Sequence, residues 1–275
     1  MTNSENKGEN KNASTDNSAK SENASSAEPK FPPGEEKWGY DLYPERRGER
    51  HRTNWVRAFF MLEGRDAMQK VRCEKNVYEC VRSSTHICFY FTGPLVKLMM
   101  GALKSSGCEI NIRRHIVCEF CSESVSGGYD PELNQIVVCQ NTSKSKGIVQ
   151  GVLTHEMIHM FDFCRYNLDF KNIDHLACTE IRAANLTHCS FLSAVTRGDA
   201  AFWNIKGRQQ ECVKNKAVHS VMSVRNITYE QAREAVDRTF PKCYPDMEPI
   251  GRRLRPRSTD VYKAYYEAPL YGYDY

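Results

Sequence analysis

The chain has 275 residues, 40% hydrophobic, 26% charged and 11% aromatic, enough apolar material for a buried core in one fairly large domain or two small ones. Its 38 basic and 34 acidic side chains leave a formal charge of +4, too small a surplus to signal nucleic-acid binding by itself. A bilayer span needs about 20 apolar residues. The most apolar stretch, Ile87 to Met100, is shorter and is broken by Pro94 and Lys97, so no integral membrane protein is expected, while contact with a membrane surface stays open.

In chain order, residues 1–37 are Ser, Asn, Lys, Glu and Ala with little to bury, and read as a disordered polar tail. No apolar h-region follows Met1, and the absence of Arg alongside several Glu does not suit a mitochondrial presequence. From residue 38 to 248 the pattern is that of one mostly helical domain. Trp55, Phe59 and Leu62, then Cys73, Val77, Cys80 and Val81, recur at helical spacing, which predicts helix over 53–82, in two pieces near Gly64. A second helix is predicted from Leu95 to Lys104. The period then changes. Ile110 and Ile112 alternate, Ile116-Val117-Cys118 follows, Gly127 to Pro131 reads as a turn, and Gln135 to Cys139 as a strand, which predicts a small antiparallel sheet. Ser145 can cap a helix carrying Ile148, Val152, His155 and His159. Further helices are predicted over His175–His188 and Gln209–Val224, and after Thr228, where Gln231 completes a capping-box pattern. Residues 249–275, rich in Arg, Pro and Tyr, read as a loosely ordered tail.

The strongest chemical signal is His155-Glu156-Met157-Ile158-His159 inside a predicted helix. Residues four apart lie on one helix face, so both imidazoles reach one zinc ion, while Glu156 points aside and is free to take a proton from a water activated by the metal. A catalytic zinc needs a third protein ligand. The Gly and His that a metzincin requires are missing from Met160 to Arg165. A thermolysin-like site takes a Glu from the next helix, and Glu180 stands 21 residues after His159. Ala177 and Ala184 share its face and permit a close approach between the helices. Asp162 fits better as an acceptor for an imidazole N–H. His175 and Asp174 are further candidates, and an ordinary ion pair with Arg182 or Arg165 is the alternative for Glu180. Tyr166 and His188 are the candidates for oxyanion support.

The cysteines number 12, and none lies in the polar tail. Cys118-Glu119-Phe120-Cys121 is the only C-x-x-C pair, so neither a zinc knuckle, which needs a second pair, nor a redox pair at a helix start is expected. Their spread from Cys73 to Cys243 suits disulfides stapling helices, against the alternative of buried free thiols. The connectivity stays open.

Several segments together resemble a family of mitochondrial inner-membrane metallopeptidases that mature and assemble a membrane-sector subunit of ATP synthase. They are Val96 to Met100 with Cys108, Cys118 to Cys121, Gly127 to Asp130, Val137 to Asn141, His155 to Arg165, Ala177 to Ala184 and Cys212 to Ala217. The resemblance spans roughly 70–250. It implies one catalytic Zn2+ ion with His155 and His159 as ligands and Glu156 as acid/base, with Glu180 the inferred third ligand. The fold expected is α+β and mostly helical, zincin-like, with the small antiparallel sheet beside the zinc-binding helix. By the same resemblance the protein works on the intermembrane-space side of the mitochondrial inner membrane, peripherally, and is retained there by oxidative folding. Its expected partners are the precursor of that ATP synthase subunit and the membrane surface, with no nucleic acid. Two other readings follow from the same resemblance: an assembly chaperone that does not need the protease site, and, by analogy alone, a protein associated with DNA end joining. The cysteines and weak charge argue against the last.

Overall fold

The computed structural model of the chain describes residues 42–47, 62–82, 93–189, 205–255 and 258–274. The tail expected over 1–37 and the Trp55–Phe59 stretch lie outside them. Helix α1, Leu62–Arg82, buries Cys73, Val77, Cys80 and Val81 on one side, the face that the helical spacing marks. Helix α2, Gly93–Ser105, starts with Pro94 in its first turn, where no N–H is needed, and stops before Gly107 at φ +83°. The alternation at Ile110 and Ile112 is not a strand. Ile112–His115 forms a short helix, α3, because the Asn111 side chain accepts from the Arg113 N–H and starts a turn that local alternation does not reveal.

Three strands follow: β1 Ile116–Glu119, β2 Gly127–Asp130 and β3 Gln135–Cys139, in the order β1-β3-β2. The sheet is mixed rather than antiparallel, since β1 runs parallel to β3, with Ile116 opposite Ile136, while β2 is antiparallel to it. Gly127 and Gly128 belong to strand β2, not to a turn. A Cβ at Gly127 would lie 2.2 Å from Val152 Cγ1, and one at Gly128 would lie 2.1 Å from the Tyr43 hydroxyl. The glycines serve close approach on both sides of the strand. The reversal comes later, where the Asp130 carboxylate accepts from the Glu132 and Leu133 N–H groups and Asn134 adopts φ +51°.

Helix α4, Lys146–Arg165, starts as the sequence predicts: the Ser145 side chain accepts from the Ile148 N–H. It packs on α1, α2 and the sheet, and Val149, Leu153, Met157, Ile158 and Phe161 are buried with Ile136 and Val138 in one cluster. Helix α5, Ile173–Ala183, ends in one turn of π-helix, Ala184–His188, closed by Cys189 N–H to Ala184 C=O at 2.9 Å. Helices α6, Ile205–Val224, and α7, Tyr229–Cys243, pack with α5 around a second cluster holding Ala177, Ile181, Val213, Val218 and Val236. The Thr228–Gln231 capping box is formed.

The stretch 249–275 is more ordered than its composition suggests. Asp260–Glu267 forms helix α8 against α2, and Ile250, Ala264, Ala268 and Tyr273 join the first cluster. Small residues at 264 and 268 give the helix a flat face, and apolar burial there outweighs the polar composition around it.

Five disulfides tie the described residues: Cys73–Cys118, Cys108–Cys164, Cys121–Cys139, Cys178–Cys243 and Cys189–Cys212. Cys118 and Cys121 have different partners, so the C-x-x-C pair is two staples, one to α1 and one across the sheet. Among the described residues no helix is long and apolar enough to cross a membrane.

Candidate active site

A cleft of about 400 Å³ opens between α4, the edge strand β2 and the α5–α6 pair. His155 and His159 project into it one turn apart on α4, with Nε2 atoms 3.2 Å apart. Glu180 enters from α5. Its Oε2 lies 3.7 Å from His155 Nε2 and its Oε1 lies 3.6 Å from His159 Nε2. The structure therefore brings together His155, His159 and Glu180, the three residues named from the sequence as a ligand set. Glu156 is buried beside them, and a Cβ at Gly127 would lie 3.6 Å from its Oε1, so the carboxyl group sits against the β2 backbone.

The other candidates sit elsewhere. His175 Nδ1 accepts from the Asp169 N–H, and Asp174 pairs with Arg238 outside the cleft. Arg182 is held by Asp162 and Asp246, and Arg165 by Glu248, so neither takes Glu180 as an ion-pair partner. Tyr166 caps α4 and donates to Glu248 away from the site, whereas His188 lines the cleft with its ring 4.8 Å from that of His155. Ala177 and Ala184 are buried in the second cluster, and Ala183 is the small residue that joins the cluster containing α4.

Burial dominates the electrostatics. It holds His155 well below the ordinary imidazole range, helped by His159 and His188, and lowers His159 to about 3, helped by Arg182. Both rings are neutral at pH 7. Burial pushes Glu180 up to about 7, opposed by the Ser220 hydroxyl, and lifts Glu156 well above the carboxylate range, helped by Glu180. Glu180 Oε2 is buried with no hydrogen-bond partner. Two imidazole nitrogens thus converge with a buried carboxylate oxygen that has no hydrogen-bond partner. Such a set fits a divalent cation that accepts N and O ligands.

Five residues that sequence reasoning missed complete the surroundings. His159 Nδ1 lies 2.9 Å from Thr179 Oγ1, and the Thr179 hydroxyl donates to Asp162 at 2.6 Å. Asp162 thus reaches the imidazole through a threonine rather than directly. His155 Nδ1 lies 3.4 Å from Thr187 Oγ1. Tyr43 donates to the Gly127 carbonyl at 2.6 Å and lines the cleft, fixed by Arg46, which bonds Glu119, Asp130 and Gln135. Lys216 on α6 also lines the cleft, and its charge helps to keep His155 and His188 neutral. Thr179 carried no signal in the sequence beyond its place next to Glu180. Tyr43 carried none, since its place depends on contacts some 84 residues away.

Two histidines and a glutamate on a buried cleft are compatible with a metal-dependent peptidase, and comparison with known proteins points to the peptidase class. Residues 71–251 match the model of the Peptidase M76 family, and the chain belongs to that family. It is 38% identical over 225 residues to the mitochondrial inner membrane protease ATP23 homolog of Xenopus laevis, covering 80% of this chain and 87% of that one. Against the homolog of Homo sapiens it is 47% identical over 163 residues, covering 58% of this chain and 65% of that one. The mitochondrial inner membrane protease ATP23 of Saccharomyces cerevisiae is 34% identical over 169 residues, with 59% and 74% covered. No solved structure matches the chain.

Proposed function

We propose that this protein is a zinc metalloendopeptidase of zincin-like fold. The observation that carries the reading is the convergence of His155, His159 and Glu180, whose Oε2 has no hydrogen-bond partner, within one buried site, with Glu156 adjacent but outside the set. Zinc held by those three residues supplies polarisation of a scissile carbonyl and acidification of a water. Glu156, beside the ligands but not one of them, would take the proton of the attacking water and pass it to the leaving amine nitrogen. Edge strand β2 borders the cleft, so an extended peptide can add to it past Gly127, whose carbonyl takes the Tyr43 hydroxyl. His188, at the cleft mouth beside His155, is the one of the two oxyanion candidates placed to act.

The place of action is proposed as the mitochondrial inner membrane, peripherally, on the intermembrane-space side, with the precursor of a membrane-sector subunit of ATP synthase as substrate and assembly client. The names of the relatives support the membrane, and five disulfides suit an oxidising compartment. Metal analysis of the purified, oxidised protein together with precursor-peptide cleavage tests the reading. Glu156→Gln should keep one zinc per chain and lower cleavage by about 10²–10⁴-fold. A Glu156→Gln protein that cleaves at the normal rate would overturn the mechanism. In cells, assembly that survives this substitution while processing stops assigns the chaperone role to the rest of the surface.

A further inference from the structure

We infer that Thr179 and Thr187 are positioning residues that set the tautomers of the two histidines and so aim both Nε2 lone pairs at the metal position. The inference rests on the metal-site reading above. A threonine hydroxyl has a single proton. That of Thr179 is committed to Asp162, whose carboxylate, held by the Arg182 guanidinium, is an acceptor. The Thr179 oxygen is therefore left to accept, and His159 Nδ1 stands 2.9 Å from it. His159 must carry its proton on Nδ1, which leaves Nε2 bare.

The same argument holds for the second ring. The Thr187 hydroxyl donates to the Ala183 carbonyl at 2.6 Å, so its oxygen accepts from His155 Nδ1 at the longer distance of 3.4 Å. Both bare Nε2 atoms then face each other at 3.2 Å and face Glu180, an arrangement that two Nε2–H tautomers would fill with opposed protons.

The two threonines stand eight residues apart, on α5 and on its π-turn, flanking Glu180 in the chain. A regular α-helix advances 800° in eight residues, which is 80° past two full turns. The π-turn changes that phase, and the structure places Thr187 at His155 while Thr179 is at His159. Helix α5 thus supplies one ligand and orients the other two. Thr179, Asp162 and Arg182 are buried, which shields this relay from competing water.

The test uses the full oxidised chain with ¹⁵N-labelled histidine. In metal-free protein, imidazole ¹⁵N resonances should report His155 and His159 as Nδ1–H tautomers. Thr179→Val should return His159 to a mixture and weaken zinc binding, measured by chelator competition, by about 10–100-fold. Thr179→Ser should restore both readouts, and Thr187→Val should act more weakly, in keeping with its longer contact. Nε2–H tautomers in the unmodified metal-free chain would overturn the inference, whether or not any variant folds. So would a folded Thr179→Val protein with unchanged tautomers and unchanged zinc affinity. If the unmodified chain binds no zinc, the metal-site reading fails, while the tautomers still decide the role of the threonines.

Discussion

The two helices that form the site are positioned by different means. Helix α4 is 20 residues long, capped at its start by Ser145, and buried on most of its circumference between α1, α2 and the sheet. Helix α5 has 11 residues, runs into a π-turn, and is tied by covalent and ionic links: Cys178–Cys243, Cys189–Cys212 just past the turn, and Arg182 to Asp162 and Asp246. Both helices are packed, α4 in the first cluster and α5 in the second, but α4 carries one staple, Cys108–Cys164, beyond its histidines, whereas two staples bracket Glu180. A helix of 20 residues spreads its position over many contacts, whereas one of 11 has fewer to lose.

The sharpest break of that contrast is at Glu180 itself. Glu180→Ala should abolish stoichiometric zinc binding in a metal titration, while Asp162→Asn, one step removed from the ring, should cost about 10–100-fold. Equal losses would mean that Asp162 does more than orient. Next come the staples. Disulfides typically contribute about 2–4 kcal/mol each. Replacing Cys178 and Cys243 by Ser should therefore lower the melting temperature and also weaken zinc binding, whereas replacing Cys121 and Cys139 should lower stability while leaving zinc affinity nearly intact. Gly127→Ala probes the packed side: its Cβ would meet Val152 Cγ1 at 2.2 Å and the Val137 carbonyl at 2.8 Å, so a loss of about 1–3 kcal/mol is expected in a denaturant titration.

The smallest effect concerns pH. Glu180 holds its proton up to about pH 7 in the metal-free fold, against 4.5 ordinarily. Metal-free stability from this group therefore declines as pH rises from 4.5 through 7. Zinc must displace that proton, so zinc affinity should fall about tenfold per unit below pH 7. The histidines, neutral well below that pH, add nothing to the slope. Isothermal titration on the Glu156→Gln protein, which removes the neighbouring carboxyl group, should show a slope of one.

What was legible in the sequence was local. The i, i+4 histidines, the Ser145 cap and the Thr228–Gln231 box are set within a few residues, and the structure forms each. Glu180 was legible because one connection of limited length brings the next helix back. The parallel pairing of β1 with β3 was not, because nothing local distinguishes it from a meander. Gly127 and Gly128 misled because the freedom that makes a turn also permits close approach, and only the positions of Val152 and Tyr43 tell which is used. The same holds for Thr179. Its hydroxyl bridges two helices, and the bridge exists only once they are docked.

The Arg46 clamp bears on where this protein can be cut. Arg46 sits with 7% of its side chain exposed against Glu119 and Asp130, both on the sheet that flanks the cleft. At the other end, Tyr273 donates to Glu248, and Ala264 and Ala268 seal the first cluster. A chain trimmed to the family-matching residues 71–251 keeps every candidate ligand yet loses all of these. It leaves two half-buried carboxylates without their cation and an apolar face of α2 open to water. The unit held together by these contacts is therefore larger than the unit that is recognisable, and trimming to the latter should lower its melting temperature.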